Sequence, residues 1–194
     1  MDPALAQQLE QLADFGNRND AEAGKGGTRM LNITPDTGAF LSVLVRATLA
    51  RRVLEIGTSN AYSTLWLADA ARAIGGAVTT IELSRDKAAM ARENIAQAGL
   101  DQVITQVEGD AGAWLARAPE ASADLLFLDS ARGLYLAWWP ELRRVLRPGG
   151  LLVVDNASSH AHEMADFVDA VKNDAEFTAS LVPVGKGEFL AVKA

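Results

Sequence analysis

Five carboxylates stand at or just beyond the ends of five short apolar runs: Glu55 in VLEIG, Glu82 in TTIEL, Asp110 after QVEG, Asp129 in LLFLD and Asp155 in LLVVDN. Acids repeated at such positions are hard to explain as core packing, because an unpartnered buried charge is costly. Each can instead receive a hydrogen-bond donor from a ligand. Glu82 follows Gly57 by 25 residues, a spacing that suits a carboxylate accepting both hydroxyls of a ribose. Asp110 has two open readings, an acceptor for an adenine amino group or a cap on the helix that starts at Ala111. Gly57 has no Cβ, so a ligand can approach its backbone closely. A diphosphate cradle would read G-x-G-x-x-G, but Ser59 and Tyr62 occupy the second and third glycine positions. Glu55 would gain nothing from a phosphate; it suits a ligand that is cationic at that end, such as an ammonium or a sulfonium. The pattern points to a nucleoside carrying positive charge.

Those side chains need strands that deliver them to one edge. Short strands are predicted over 51–57, 77–83, 103–109, 123–129 and 151–156, and helices over 62–73, 85–98, 111–117, 134–146 and 161–173. Alternation of this kind implies a mostly parallel sheet covered on both faces, with ligands bound beyond the carboxyl ends of its strands. Thr34-Pro35-Asp36 reads as a helix start, with Thr as cap, Pro in the first turn and Asp near the positive end of the dipole. At the N-terminus Leu5, Leu9, Leu12 and Phe15 recur at helical spacing and predict a short amphipathic helix. GNRNDAEAGKGGT (16–28) reads as a mobile connection, which sets residues 1–28 apart from a domain over 29–194. The tail, FTASLVPV and GEFLAVKA, predicts a hairpin around Gly185-Lys186-Gly187.

Composition narrows the partners. With 25 acidic against 18 basic residues the net charge is −7, which disfavours nucleic acid as a partner, since phosphate binding needs clustered cations. Arg51-Arg52 and Arg143-Arg144-x-x-Arg147 are the tight basic groups, and both adjoin core elements. No Cys is present, so thiolate chemistry is excluded. No apolar run approaches the roughly 18 residues of a membrane span. MDPALAQQLEQLADF lacks the basic start of a signal peptide. A cytoplasmic location is expected.

From about residue 29 to 157 the chain resembles the cation-dependent class I O-methyltransferases, the family of catechol and caffeoyl-CoA O-methyltransferases. The matching pieces, in order, are LNITPDTG (31–38), VLEIGTSNAYST (53–64), TTIEL (79–83), EGDA (108–111), LLFLDSARGLY (125–135), LRPGGLLVVDN (146–156) and the terminal PVGKGEFLAVK. The resemblance implies a Rossmann-like α/β fold, with a seven-stranded, mostly parallel sheet, helices on both faces and an antiparallel last strand. It implies S-adenosylmethionine as cofactor, lined by Ile33, Glu55, Gly57, Ser63, Glu82, Asp110, Ala111, Asp129 and Ser130, and a small-molecule hydroxyl as acceptor. Asp129, Asp155 and Asn156 match the family's three metal ligands, and a homodimer is expected. Two carboxylates and an amide carbonyl are hard oxygen donors, suited to Mg²⁺ or Ca²⁺. A phenol with a pKa near 10 is ionised to only about 0.1% at pH 7, a cost of roughly 4 kcal/mol that a Lewis acid offsets.

Three departures bear on mechanism. Ala61 replaces the usual second glycine of the first motif and is expected only to tighten the turn. Arg132 stands where catechol O-methyltransferase has its catalytic Lys, and a guanidinium cannot serve as a base at pH 7. Two readings of it stand, orienting an anionic group or facing solvent. The stretch after Asn156 is short and holds His160 and His162. Either could accept a hydroxyl proton, the H-x-H spacing could instead bind a softer metal, or both merely flank the helix start; His160 is preferred as the catalytic base beside Asp129. Trp66, Trp138 and Trp139 read as core or interface, while Trp114 has equal claims as core and as a border to adenine. Rival readings are a nicotinamide-dependent oxidoreductase, a nucleic-acid base methylase and a non-catalytic nucleoside binder. LDSAR lacks the [DN]-PP-[YF] run of the second, and the missing glycines argue against the first.

Overall fold

The computed structural model describes residues 1–23 and 28–194. Seven strands form one sheet: β1 (Arg52–Ile56), β2 (Ala77–Glu82), β3 (Ile104–Glu108), β4 (Ala123–Leu128), β5 (Leu146–Val154), β6 (Phe177–Val182) and β7 (Glu188–Lys193). Their spatial order is β3-β2-β1-β4-β5-β7-β6. The pairs among β1 to β5 are parallel, and β7 runs antiparallel to both β5 and β6. This is the Rossmann-like arrangement with its last strand reversed.

Period-two alternation divides the apolar side chains between two cores. In β4, Leu125 and Phe127 pack on one face, and Leu126 and Leu128 on the other, as expected of a strand buried on both sides. The first face carries α1 (Pro3–Glu22), α2 (Pro35–Ala47), α3 (Tyr62–Arg72) and α4 (Arg85–Gln97); the second carries α5 (Ala111–Leu115), α6 (Tyr135–Val145) and α7 (Ala165–Asn173). Thr34 caps α2 by accepting from the Thr37 N–H at 3.2 Å. Among the described residues no helix is long and apolar enough to cross a membrane.

Several boundaries differ from expectation. α1 continues through residues 16–22, which composition assigned to the connection, and residues 24–27 of that connection lie outside the described residues. Gly16 explains the continuation: it is buried, and a Cβ there would strike the Asn32 side chain, whose amide donates to the Leu12 carbonyl at 3.0 Å. β5 begins at Leu146 and takes in Pro148-Gly149-Gly150, absorbing a register shift against β4. The helix expected over 134–146 starts after a 3₁₀ turn, Arg132–Leu134, and that over 161–173 splits into a 3₁₀ turn, Ala161–Glu163, and α7.

The sheet edge opposite the carboxyl ends is tied by one acid. Asp124 accepts from the backbone N–H of Arg51 and Arg52 at 3.0 and 2.8 Å, and from the guanidinium groups of Arg52 and Arg147 at 2.7 and 2.8 Å. Burial alone would raise this carboxyl, but hydrogen bonds from Arg52 and Arg147 outweigh it and hold the group down at about 2. A lowered folded-state value contributes stability above the unfolded pKa, and that contribution is lost as pH falls towards 2. Asp124→Ala is therefore expected to cost about 2 kcal/mol at pH 7, with the difference from wild type vanishing near pH 2. Thermal melts across that range check it; equal melting temperatures at pH 7 would contradict it.

Candidate active site

Beyond the carboxyl ends of β1 to β5 lies a cavity of about 350 Å³. Its position follows from the topology, because the chain leaves β1 and β4 in opposite directions and opens a crevice between them. Gly57 sits at that point with φ +109°, and a Cβ there would collide with the Asp129 carbonyl. Glycine is thus needed for the close approach of the two strand ends. The turn that follows also has positive φ at Ser59 (+49°) and Ala61 (+69°). The expectation that Ala61 only tightens this turn needs correcting: it is fully buried and left-handed, a conformation that costs an L-residue roughly 1–2 kcal/mol.

Ile33, Gly57, Ser63, Glu82, Asp110, Ala111, Asp129, Ser130, Asn156 and His160 all line the cavity. Glu82 is clamped by two backbone donors, Ser59 N–H on Oε2 and Ser84 N–H on Oε1, both at 2.8 Å. A second lone pair on each oxygen stays available to a diol. Asp110 accepts from the Ala113 N–H at 2.7 Å as the cap of α5, and it also lines the cavity.

Glu55 and Asp155 stand behind the wall. Glu55 is fully buried and accepts from Ser63 Oγ, Thr64 Oγ1 and Thr80 Oγ1 at 2.6, 2.5 and 2.6 Å. Burial raises its pKa, opposed by these three hydroxyls. Its reach into the cavity runs through Ser63.

At the β4–β5 end, Asn156 Nδ2 donates to Asp155 Oδ2 at 2.7 Å and to Asp129 Oδ1 at 3.2 Å, while Ser159 Oγ donates to Asn156 Oδ1 at 3.3 Å. Burial and then the Asp155 charge push the Asp129 carboxyl up to about 8, against the pull of Lys186 and Arg132. Among the described residues no three His, Asp or Glu side chains are grouped as metal ligands. Two carboxylates and an amide oxygen are the hard donors that suit Mg²⁺ or Ca²⁺, and the Asn156 amide must turn its Oδ1 from Ser159 towards the acids to complete that set. Asp155 Oδ1 is buried without a donor, and the bridge between the two acids is a single amide N–H₂ group.

His160 Nδ1 lies 2.8 Å from Ser159 Oγ, whereas the His162 side chain is 82% exposed. Arg132 lines the cavity and pairs with Glu163 at 2.7 Å in a contact that stays open to solvent. Trp138 and Trp114 both pack against the second core, and Trp138 also lines the cavity with its Nε1 turned towards Gly112.

Two residues were missed. Lys186 lines the cavity from the β6–β7 turn. Glu188 is fully buried, accepts from Thr37 Oγ1 at 3.0 Å, and has Oε2 without a donor. An acid inside the apolar run GEFLAV was the available signal. Burial followed by the Asp155 charge pushes the Glu188 carboxyl up to about 9, so Glu188 keeps a proton that it shares with the neighbouring Asp155.

Comparison with known proteins gives a consistent picture. The family profile described as O-methyltransferase matches residues 7–194. A protein carrying that name in Mycobacterium sp. (strain JLS) is 32% identical, over 98% of this chain and 94% of its own. A catechol O-methyltransferase of Niastella koreensis is 33% identical over 68% of this chain and 61% of its own. Among solved structures, the O-methyltransferase TomG of Streptomyces achromogenes, in complex with SAM, superposes with a TM-score of 0.78 at 27% identity, covering 100% of this chain and 91% of that one.

A raised carboxyl value means that stability is fully present below the unfolded pKa, near 4.5, and is lost as pH rises towards 9. Glu188→Gln replaces the shared proton with a permanent N–H. In EDTA the variant is expected to melt about 3 °C or more above wild type at pH 9 and to match it at pH 4. A wild type whose melting temperature does not fall relative to the variant between those pH values would contradict this.

Proposed function

Because the chain belongs to the O-methyltransferase family, and is therefore a transferase enzyme, we propose that it moves the methyl group of S-adenosylmethionine to a phenolic hydroxyl of a small molecule. The observation that carries this is the cavity itself: acids at successive strand ends, one of them clamped to receive a diol, and no glycine cradle for a diphosphate. The cofactor supplies a methyl group on a cationic sulfur. Glu82 holds the ribose, and Asp110, Ala111 and Trp138 surround the adenine. Gly57, Ile33, Ser63 and Ser130 bind the methionine end, with Glu55 orienting the Ser63 hydroxyl and Asp129 facing the positive charge. The reaction needs alignment of oxygen, methyl carbon and sulfur, which a rigid strand-end frame provides.

Asp129, Asp155 and Asn156 would hold a divalent ion, Mg²⁺ or Ca²⁺, whose chemistry is that of a Lewis acid near the acceptor oxygen. His160, poised against Ser159, takes the hydroxyl proton. A homodimer is also proposed, though not through the apolar face of α1, since Leu5, Leu9 and Leu12 are buried in the chain's own core. A monomeric mass by light scattering would refute it.

Single-turnover transfer of labelled methyl to catechol and simple phenols tests the reaction. Methylated phenol is expected, at a rate at least tenfold lower in EDTA. No transfer to any phenol would remove the acceptor class, and a rate indifferent to EDTA would remove the ion. Glu82→Ala, which deletes charge-assisted hydrogen bonds worth about 1.5–3 kcal/mol each, is expected to raise the cofactor KM roughly tenfold or more. An unchanged KM would displace the ribose from Glu82.

A further inference from the structure

The turn between β6 and β7 brings a lysine to the cavity and is built to hold it there. Gly185 and Gly187 have φ of +54° and +91°. A Cβ on Gly185 would strike the hydroxyls of Thr34 and Thr37 at the start of α2, and one on Gly187 would strike Ser158. The Gly187 N–H donates to the Val184 carbonyl and the Ala157 N–H to the Gly187 carbonyl, both at 2.8 Å. The N–H groups of Ser158 and Ser159 both donate to the Lys186 carbonyl at 3.1 Å. The turn is thus packed on α2 and bonded to the segment that follows Asn156.

Lys186 itself is half-buried and lines the cavity beside Asp129, Asn156 and His160. Among the described residues no hydrogen bond or ion pair engages its ammonium. Arg132, the other cation at this end, is already held by Glu163 at 2.7 Å. The charge of Lys186 is felt at Asp129, where it opposes the effects of burial and of Asp155. An ammonium that lines the cavity without a hydrogen-bond or ion-pair partner among the described residues is available to an anionic ligand group. On the topology it stands next to β5, away from the Glu82 and Asp110 end that suits a nucleoside.

Resting on the phenol reading above, we propose that Lys186 is a catalytic residue: its ammonium pairs with the acceptor oxygen and binds the phenol as its anion. The hydroxyl proton passes through His160 to solvent. The phenolate oxygen then forms its bond to the methyl carbon as the carbon–sulfur bond breaks, the electron pair staying on sulfur. A phenolate and a sulfonium become a neutral ether and a neutral thioether, and Lys186 keeps its proton throughout. This role replaces nothing at Arg132, whose guanidinium pairs with Glu163.

The test uses the full chain loaded with adenosylhomocysteine, in EDTA so that no divalent ion contributes, and 4-nitrophenol, whose anion absorbs in the visible. Bound to wild type, 4-nitrophenol is expected to ionise at lower pH than when free. Lys186→Met should abolish that shift and weaken binding of the anion about tenfold, while Lys186→Arg should retain most of both. Adenosylhomocysteine affinity by calorimetry should be the same in all three proteins. Weaker adenosylhomocysteine binding in Lys186→Met alone would assign the ammonium to the methionine carboxylate and overturn the proposal. So would a 4-nitrophenol ionisation that ignores residue 186. A wild type that binds no adenosylhomocysteine would overturn the methyltransfer reading as well, whereas failure of the phenol arm alone would leave that reading standing.

Discussion

Four carboxyl groups, Glu55, Asp129, Asp155 and Glu188, are buried or walled in at the carboxyl edge of a single sheet, and this concentration of acid sets the terms for everything around it. Each must be satisfied separately, because charges taken from water without partners are expensive. Glu55 receives three hydroxyls. Asp129 and Asp155 share one amide, and Glu188 keeps a proton. The opposite edge shows the contrast: Asp124 has two arginines and two backbone donors and needs nothing more. One edge is electrostatically closed, while the other is arranged to receive positive charge.

Fold and charge are coupled through backbone geometry. The approach of the β1 and β4 ends at Gly57 brings the Asp129 backbone against the first turn. The hairpin glycines do the same for Lys186 against α2 and the Asn156 loop. Left-handed residues collect in this region, at Leu31, Ser59, Ala61 and Asn156 as well as at the glycines. Strain of that kind persists only where the surroundings fix it. Here it is fixed by two packed cores on either side of the sheet.

Much of this was legible in sequence. Strand and helix alternation fixed the sheet, and strand-end acids marked its functional edge, because both depend on local patterns of two to four residues. The capping of α2 was readable from Thr34-Pro35-Asp36 for the same reason. What escaped depended on contacts between distant segments. The run 16–22 looks like a linker by composition, yet it is helical because Gly16 admits Asn32 across the packing face. Glu55 was expected to face the ligand, and only the fold shows Ser63 standing between them. Trp114 and Trp138 are alike in sequence context, and their assignment depends on how α5 and α6 pack. Lys186 looked like an ordinary turn residue because nothing local reveals that the hairpin tip meets residues 150 positions earlier, at α2.

The central claim is that this edge recognises a nucleoside bearing positive charge and rejects a diphosphate. Isothermal calorimetry of the purified chain against adenosylhomocysteine and, separately, a nicotinamide dinucleotide tests it most directly. Saturable one-site binding of the first with no heat from the second is the expected result; tight dinucleotide binding with none to adenosylhomocysteine would contradict it.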